Sequence, residues 1–213
     1  MNAQTQRLHV AGPAGPLACA VNAPATAAPV GVAVLCHPHP QHGGTMDNKV
    51  VMTLARAFVS LGYRAVRFNF RGVGDSGGAW DEGRGEADDA LAVAMALRDP
   101  ALPLVLGGFS FGAAMASRAA AMLPAEARAE RLVLVGPAVL NFPPAPVSQD
   151  TLVIHGEADE VVPLAAVLDW ARPMTLPVTV VPGVGHFFHG QLGLLKQLIT
   201  GAWHRLPLPS PSR

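Results

Sequence analysis

The sequence is short of the residues that mark several large classes of protein. Only two of its 213 residues are cysteine, Cys19 and Cys36, and both lie in apolar segments, so a secreted disulfide framework is not expected. Lys and Arg total 15, as do Asp and Glu, which leaves no basic excess to hold nucleic-acid phosphates or an anionic membrane. No run reaches the roughly 20 apolar residues that cross a bilayer, and the N-terminus has no signal-peptide pattern. These absences predict a cytoplasmic protein that binds neither nucleic acid nor membrane.

Apolar residues are plentiful. They make up 50% of the chain, which at this length is enough for a sizeable buried core. We therefore expect one domain over residues 1–205. The remaining residues, 206–213 (LPLPSPSR), contain three prolines and are expected to form a flexible tail, because proline cannot donate a backbone hydrogen bond.

Strand-like and helix-like segments alternate along most of the chain. A hairpin is predicted first, with strands at 7–11 and 17–22. The continuous apolar run 30–36 (VGVAVLC) is typical of a parallel strand that is covered on both faces. Further strands are predicted at 64–70, 102–107, 131–135, 151–155 and 178–181, and helices at 48–60, 86–98, 111–122, 164–171 and 191–203. The alternation predicts an α/β fold, a mostly parallel sheet of about eight strands with helices on both faces and the hairpin at one edge.

The segment 108–112 (GFSFG) lies between a predicted strand and a predicted helix. A strand that turns abruptly into a helix needs small residues around the bend, and the bend raises a serine hydroxyl above the sheet, in front of the helix N-terminus. Ser110 is therefore a candidate nucleophile. Its alternative role is to cap the helix.

A serine nucleophile needs a base, and the base needs a group that orients it. Asp159 lies in HGEADEVVP, directly after one predicted strand, and His186 lies in GVGHFFH, directly after the last one. The order Ser, Asp, His fits a triad assembled at the carboxyl ends of successive strands. The alternatives are Glu157 and Glu160 for the acid and His189 for the base.

Two other motifs are weaker signals than the candidate triad: one indicates a metal site, and the other indicates a dinucleotide cofactor site. In CHPHPQHGGT, His37, His39 and His42 have HxHxxH spacing, which resembles the first metal-binding segment of metallo-β-lactamase-like hydrolases but has Gln41 in place of an aspartate. The stretch GVGDSG matches GxGxxG, but two more glycines and mixed charges follow it, whereas a dinucleotide site needs a helix N-terminus there. We predict no metal and no cofactor.

Over nearly its whole length the chain resembles an α/β-hydrolase. HGEADEVVP fits the family segment HGxxDxxVP, and GFSFG fits the nucleophile elbow. HPHPQHGGTMDNKVV together with FNFRGVGDSGG is similar to small, cap-less bacterial serine hydrolases related to dienelactone hydrolases. The latter have a cysteine nucleophile, so the resemblance does not imply lactone specificity. Only fourteen residues separate Gly136 from Thr151, which leaves no room for a helical cap.

The resemblance also implies an oxyanion hole made of two backbone N–H groups. One belongs to the residue after the nucleophile, Phe111, and the other to the loop CHPHPQHGG after the third strand. The two prolines of that loop have no N–H, so His37, His39 and Gln41 remain as possible donors. Aligning HPH with the HGx segment of relatives selects His39.

Together these features predict a metal-independent serine hydrolase with the triad Ser110, Asp159 and His186. It would cleave small-molecule carboxylic esters with short to medium acyl groups through an acyl-enzyme, as a monomer or small homo-oligomer. The alternatives are a thioesterase or small peptidase with the same triad, and a non-catalytic binding protein on the same scaffold. The expected wall of an open, apolar site is formed by loop residues Trp80, Val139, Leu140, Phe142 and Phe187.

Overall fold

A computed structural model describes residues 5–25 and 27–203. The predicted tail at 206–213, and the predicted end of the domain at residue 205, both lie outside the described residues.

Eight strands form one sheet in the described part of the chain. They are β1 (Gln6–Gly12), β2 (Gly15–Asn22), β3 (Val32–Cys36), β4 (Arg64–Phe68), β5 (Leu104–Phe109), β6 (Arg131–Val135), β7 (Leu152–Gly156) and β8 (Val178–Val181). Their order across the sheet is β1-β2-β4-β3-β5-β6-β7-β8. The β1–β2 and β2–β4 pairs are antiparallel, and the other pairs are parallel. The predicted parallel sheet with an edge hairpin is confirmed.

Five α-helices within the described residues cover both faces of this sheet. They are α1 (Lys49–Ser60), α2 (Arg84–Leu97), α3 (Phe111–Met122), α4 (Leu164–Ala171) and α5 (Leu192–Trp203). Helices α2, α3 and α4 contribute to one apolar cluster, while α1 and α5 contribute to another. Alternate residues of β3 enter opposite clusters, because successive strand side chains point to opposite faces. None of these described helices has both the length and the apolar character needed to span a bilayer.

The predicted start of β3 and the predicted end of β4 each differ from the observed ones by two residues. Strand β3 begins after Gly31, where a Cβ would lie 2.3 Å from the Tyr63 ring. Strand β4 ends at Phe68: the Asn69 N–H still donates to the Ala18 carbonyl of β2, but the Phe70 N–H leaves the ladder and donates to the His37 ring. The contacts of Gly31 with Tyr63 and of Phe70 with His37 join residues that are distant in sequence, so local sequence patterns do not reveal them.

Helix α1 begins with a side-chain cap that can be tested. The Asn48 Oδ1 accepts hydrogen bonds from the N–H groups of Val50 and Val51 at 2.9 and 3.4 Å. We expect Asn48→Ala to lower the free energy of unfolding by about 1 kcal/mol, because two helix N–H groups lose their partner. Urea unfolding measures this, and Asn48→Asp, which keeps the acceptor, is the control. An alanine variant as stable as the wild type would contradict the assignment.

Candidate active site

The candidate reacting side chains lie where parallel strands end. Ser110 directly follows β5, Asp159 lies in the loop after β7, and His186 lies in the loop after β8. Strands β5, β6, β7 and β8 run parallel side by side, so their carboxyl ends meet at one edge of the sheet. The topology therefore brings together residues that are 49 and 27 positions apart in sequence.

The turn at Ser110 is tight. Its φ of 56° and ψ of −120° lie in a region that residues with a Cβ rarely adopt. A Cβ on Gly108 would lie 2.4 Å from the backbone of Gly112, and a Cβ on Gly112 would lie 2.3 Å from the Cys36 carbonyl oxygen. The glycines of GFSFG thus let α3 pack directly against β5 and the end of β3. The Ser110 side chain makes no capping hydrogen bond to α3, so its hydroxyl is left for other partners.

A short chain of hydrogen bonds links the three candidate side chains. His186 Nε2 lies 3.0 Å from Ser110 Oγ, and His186 Nδ1 lies 2.6 Å from Asp159 Oδ2. An ionised carboxylate can only accept, so Nδ1 carries the proton and Nε2 accepts from the serine hydroxyl. All three side chains are buried. This geometry allows His186 to remove the Ser110 proton.

The carboxylate of Asp159 is fixed by the turn that follows it. Its Oδ1 accepts hydrogen bonds from the N–H groups of Val161 and Val162 at 2.9 and 2.8 Å. Burial raises the pKa of Asp159, but the hydrogen bonds from His186 and Val162 outweigh it and hold the pKa below its ordinary value. Asp159 is therefore a buried, ionised acceptor for His186.

The alternative acids and base occupy other positions. Glu157 accepts a hydrogen bond from the Gly183 N–H and is exposed, and Glu160 is also exposed. His189 lies on the surface with its ring 5.7 Å from the Phe187 ring. None of the three takes part in the hydrogen-bond chain between Ser110 and Asp159.

The loop after β3 presents a free backbone donor beside Ser110. In the described part of the chain, neither the His39 nor the Phe111 backbone N–H has a hydrogen-bond partner. Both residues line the cleft that contains Ser110. The Gln41 N–H instead donates to His39 Nδ1 at 3.2 Å, which removes Gln41 from the possible donors. The His39 N–H shares its peptide unit with the Pro38 carbonyl, which accepts from the His37 ring at 2.6 Å, and the His39 carbonyl accepts from His42 and Gly44, so the backbone on both sides of His39 is held in place.

The ring of His37 has a structural role that its spacing did not reveal. Its Nδ1–H donates to the Pro38 carbonyl at 2.6 Å, and its Nε2 accepts from the Phe70 N–H at 3.1 Å. Both ring nitrogens are used, so His37 ties this loop to the end of β4. The rings of His39 and His42 stack with centroids 4.4 Å apart. Among the described residues, no three or more His, Cys, Asp or Glu side chains are grouped to hold a metal.

The glycine-rich stretch 72–77 also forms structural contacts. Ser76 is buried, accepts from the Ala18 N–H and donates to the Asn69 carbonyl, which ties the loop to β2. Helix α2 begins only at Arg84, so no helix N-terminus meets these glycines in the way that a dinucleotide site requires.

The expected apolar wall is divided between two places. Leu140 and Phe142 line a cleft of about 100 Å³ beside Ser110. Phe187 lies on the other side of His186, with ring centroids 5.1 Å apart, and lines a larger cleft. Val139 is buried, and Trp80 stands behind the first cleft, packed on the His39 ring at 4.6 Å. The sequence-based search did not assign five further residues to the wall of this cleft: His42, Ala138, Asn141, Val161 and Val162.

Comparison with known proteins places this chain in a family. Residues 28–149 match the model of a family described as serine aminopeptidase, S33. The chain is 31% identical over 182 residues to an uncharacterised protein of Rickettsia prowazekii, covering 78% of this chain and 75% of the relative. The chain belongs to this family of α/β serine hydrolases.

Two solved structures resemble this α/β serine hydrolase closely. One is a serine hydrolase of Xanthomonas campestris described as having no lid, with 40% identity, 99% of each chain covered and a TM-score of 0.82. The other is a serine hydrolase homologue of Coxiella burnetii, with 38% identity, 92% of this chain and 96% of that chain covered, and a TM-score of 0.82. Here, too, residues 137–150 between β6 and β7 contain no helix, as the sequence predicted.

The buried ring of His37 gives a testable pH dependence. Burial lowers its pKa to about 4, from an ordinary 6.5. Between these values the unfolded chain binds more protons than the folded one, so stability falls as the pH is lowered from 6.5 towards 4, by up to about 3 kcal/mol. In His37→Gln, which retains a donor and an acceptor, we expect this part of the pH dependence to disappear. Urea unfolding between pH 4.5 and 7.5 measures it.

The control for this experiment is His9→Gln, which replaces an exposed histidine of β1. It should reproduce the wild-type pH dependence. If the free energy of unfolding has the same slope against pH in the wild type and in His37→Gln, protonation of His37 does not limit stability in this range.

Proposed function

We propose that this protein hydrolyses carboxylic esters through an acyl-enzyme, with Ser110 as the nucleophile, His186 as the general base and acid, and Asp159 as the group that orients His186. The observation that carries the proposal is the hydrogen-bond chain from Ser110 Oγ through both nitrogens of His186 to Asp159 Oδ2, at 3.0 and 2.6 Å. A capping or packing role for Ser110 would not require a buried imidazole and a buried carboxylate aligned behind it.

In the first step Ser110 Oγ attacks the ester carbonyl carbon while its proton moves to His186 Nε2. Asp159 stabilises the imidazolium that forms, because its carboxylate already accepts the Nδ1–H. The tetrahedral intermediate then collapses, the bond to the alcohol oxygen breaks, and Nε2–H protonates the leaving alkoxide. A water molecule, deprotonated in turn by His186, releases the acid and returns Ser110 to its starting state.

The negative charge on the carbonyl oxygen needs donors that are already in place. The backbone N–H groups of Phe111 and His39 are the proposed pair, since both border the Ser110 cleft and neither has an internal partner among the described residues. Each such donor contributes about 10²- to 10³-fold in rate. Gly44 supports the loop, since a Cβ there would lie 2.0 Å from the Pro38 carbonyl oxygen.

Chemical labelling tests the nucleophile directly. A fluorophosphonate probe should label the wild-type protein at Ser110, and Ser110→Ala should lose both labelling and ester hydrolysis, the latter by on the order of 10⁴-fold or more. The matched control is Ser60→Ala, which removes an α1 hydroxyl bonded to the Ala57 carbonyl. A wild-type protein that does not label, or a Ser110→Ala variant that labels equally, would contradict the proposal.

A peptidase is the second candidate, because the description of the matched family names a serine aminopeptidase. The same triad can cleave an amide if His186 protonates the leaving amine. Comparing p-nitrophenyl esters with aminoacyl p-nitroanilides that have a free N-terminus separates the two. Ester cleavage with no anilide cleavage is the expected result, and faster turnover of the anilides would replace the esterase assignment.

A further inference from the structure

Two clefts of unequal size meet at the proposed reaction centre. The smaller has a volume of about 100 Å³ and is bordered by Ser110, Phe111 and Phe142. The larger has a volume of about 460 Å³ and is bordered by His186, Phe187 and Glu160. Val161, which is 57% exposed, lines both clefts and stands between them.

The proposed mechanism decides which half of an ester enters each cleft. His186 must protonate the leaving alkoxide, so the alcohol half has to depart on the His186 side, along the larger cleft. The carbonyl oxygen points to the N–H groups of His39 and Phe111, and both residues border the smaller cleft. The acyl chain, attached to the same carbon, then extends along the smaller cleft. This assignment rests on the proposed function.

The volumes set the size of each half. An apolar cavity of about 150 Å³ holds one benzene ring of six carbons, so the smaller cleft, at about 100 Å³, holds an acyl chain of only about two to four carbons. Trp80 packs against the ring of His39, one of the residues that line this cleft. On the other side, a third cleft of about 390 Å³ continues past Phe187 and His189. The space for the alcohol half is therefore several times larger than the space for the acyl half.

The clefts also differ in the charged residues that border them. Among the described residues, no Asp, Glu, Lys or Arg borders the smaller cleft, whereas Glu160 borders the larger cleft next to His186. The third cleft, farther from His186, is bordered by one residue of each sign, Asp47 and Lys49. We infer that the substrate is a short, uncharged acyl group esterified to a large alcohol that is neutral or cationic. A highly anionic leaving group, such as the nucleotide-bearing thiol of an acyl carrier cofactor, would meet the carboxylate of Glu160.

Two matched phenylalanine variants test the assignment of the clefts. The rates kcat/KM are measured for p-nitrophenyl acetate, butyrate, hexanoate and octanoate, and for acetates of small and large alcohols. In the wild type, we expect octanoate to be cleaved at least tenfold more slowly than butyrate. Phe142→Ala should raise the octanoate-to-butyrate ratio at least tenfold. Phe187→Ala should leave this ratio unchanged and reduce the discrimination between small and large alcohols.

The effect of leaving-group charge is tested with phenyl acetates that bear a para trimethylammonium, hydrogen or carboxylate substituent. The anionic ester should be the poorest substrate, and Glu160→Gln should reduce its disadvantage by about two- to fivefold, as expected for an exposed carboxylate. If Phe142→Ala does not fold, Leu140→Ala, at a position that is 61% exposed, replaces it on the same side of the site.

The outcomes separate this inference from the proposed function. If the wild type cleaves none of the esters, the esterase proposal itself fails. If it cleaves octanoate as fast as butyrate, or if Phe187→Ala rather than Phe142→Ala changes the acyl ratio, the esterase proposal stands and the assignment of the clefts is overturned.

A different observation concerns the histidine buried behind Asp159. The side chain of His155, in β7, is fully buried, and its Nε2 lies 2.9 Å from the Val162 carbonyl oxygen and 3.5 Å from Asp159 Oδ2. A carbonyl only accepts, so Nε2 carries the proton. In the described part of the chain, His155 Nδ1 has no hydrogen-bond partner. Burial lowers the pKa of His155 and keeps the ring neutral, and the titratable groups acting on it are Asp159 and His186.

We propose that His155 is a positioning residue for the acid of the triad. Its Nε2–H holds the Val162 carbonyl, and thereby the turn whose N–H groups bind Asp159 Oδ1. The same N–H directs its positive end at Asp159 Oδ2, the oxygen that accepts from His186. His155 thus sets both the direction of the carboxylate and the electrostatic potential at His186.

The test is the pH profile of kcat/KM for His155→Phe. We expect a loss of about 10- to 100-fold, the size seen when a side chain that orients a metal-ligating residue is removed in metalloenzymes. The acid limb should move to higher pH, because removing a positive N–H end near Asp159 favours the protonated form of His186. His155→Gln, which can again donate to the Val162 carbonyl, should restore most of the rate.

Thr151→Val is the matched control, since Thr151 Oγ1 is buried just before β7 and has no hydrogen-bond partner among the described residues. Thr151→Val should leave the acid limb of the kcat/KM pH profile at the wild-type pH. The proposal is overturned if His155→Phe leaves the acid limb where it was, or if Thr151→Val moves the limb equally. If His155→Phe does not fold, the comparison is made with His155→Gln, whose acid limb should move in the same direction by a smaller amount.

Discussion

The abrupt turn from β5 into α3 is the constraint on which the rest of the candidate site depends. Ser110 holds a positive φ of 56°, a strained conformation that persists only when the surroundings enforce it. Gly108 and Gly112 provide that enforcement, because their missing side chains let the first turn of α3 lie directly on β5 and on the Cys36 carbonyl. The close contacts at Gly108 and Gly112 therefore place the serine, the helix N-terminus and the loop after β3 relative to one another.

Around this turn, the buried side chains of Asp159 and His37 are each held by more than one hydrogen bond. Asp159 keeps its charge in a buried position because two backbone N–H groups and His186 donate to it. His37 stays neutral because burial lowers its pKa, and both of its nitrogens are bonded within the fold. Buried polar groups without partners would cost free energy, so these contacts keep the loops in single conformations without a cap to support them.

The missing cap gives the site its shape. With no helix between β6 and β7, the walls consist of short loops, and exposed apolar residues such as Leu140, Val161 and Phe187 form the rim. Loops of this kind come from three different strand ends, so their packing divides the space around Ser110 into unequal clefts. Specificity in such a site depends on a few rim side chains rather than on an enclosed pocket.

Much of this protein follows from the sequence by itself, because the signals are local. Apolar runs of strand length predicted the sheet, the glycines around Ser110 predicted the turn, and the positions of Asp159 and His186 after their strands indicated where they would meet. Only the tertiary structure decided the roles of the other side chains. The ring of His37 binds Phe70, Ser76 binds Ala18, and Phe187 lies apart from Phe142. These contacts join loops that are distant in sequence, and no local pattern of residue types encodes which loops become neighbours.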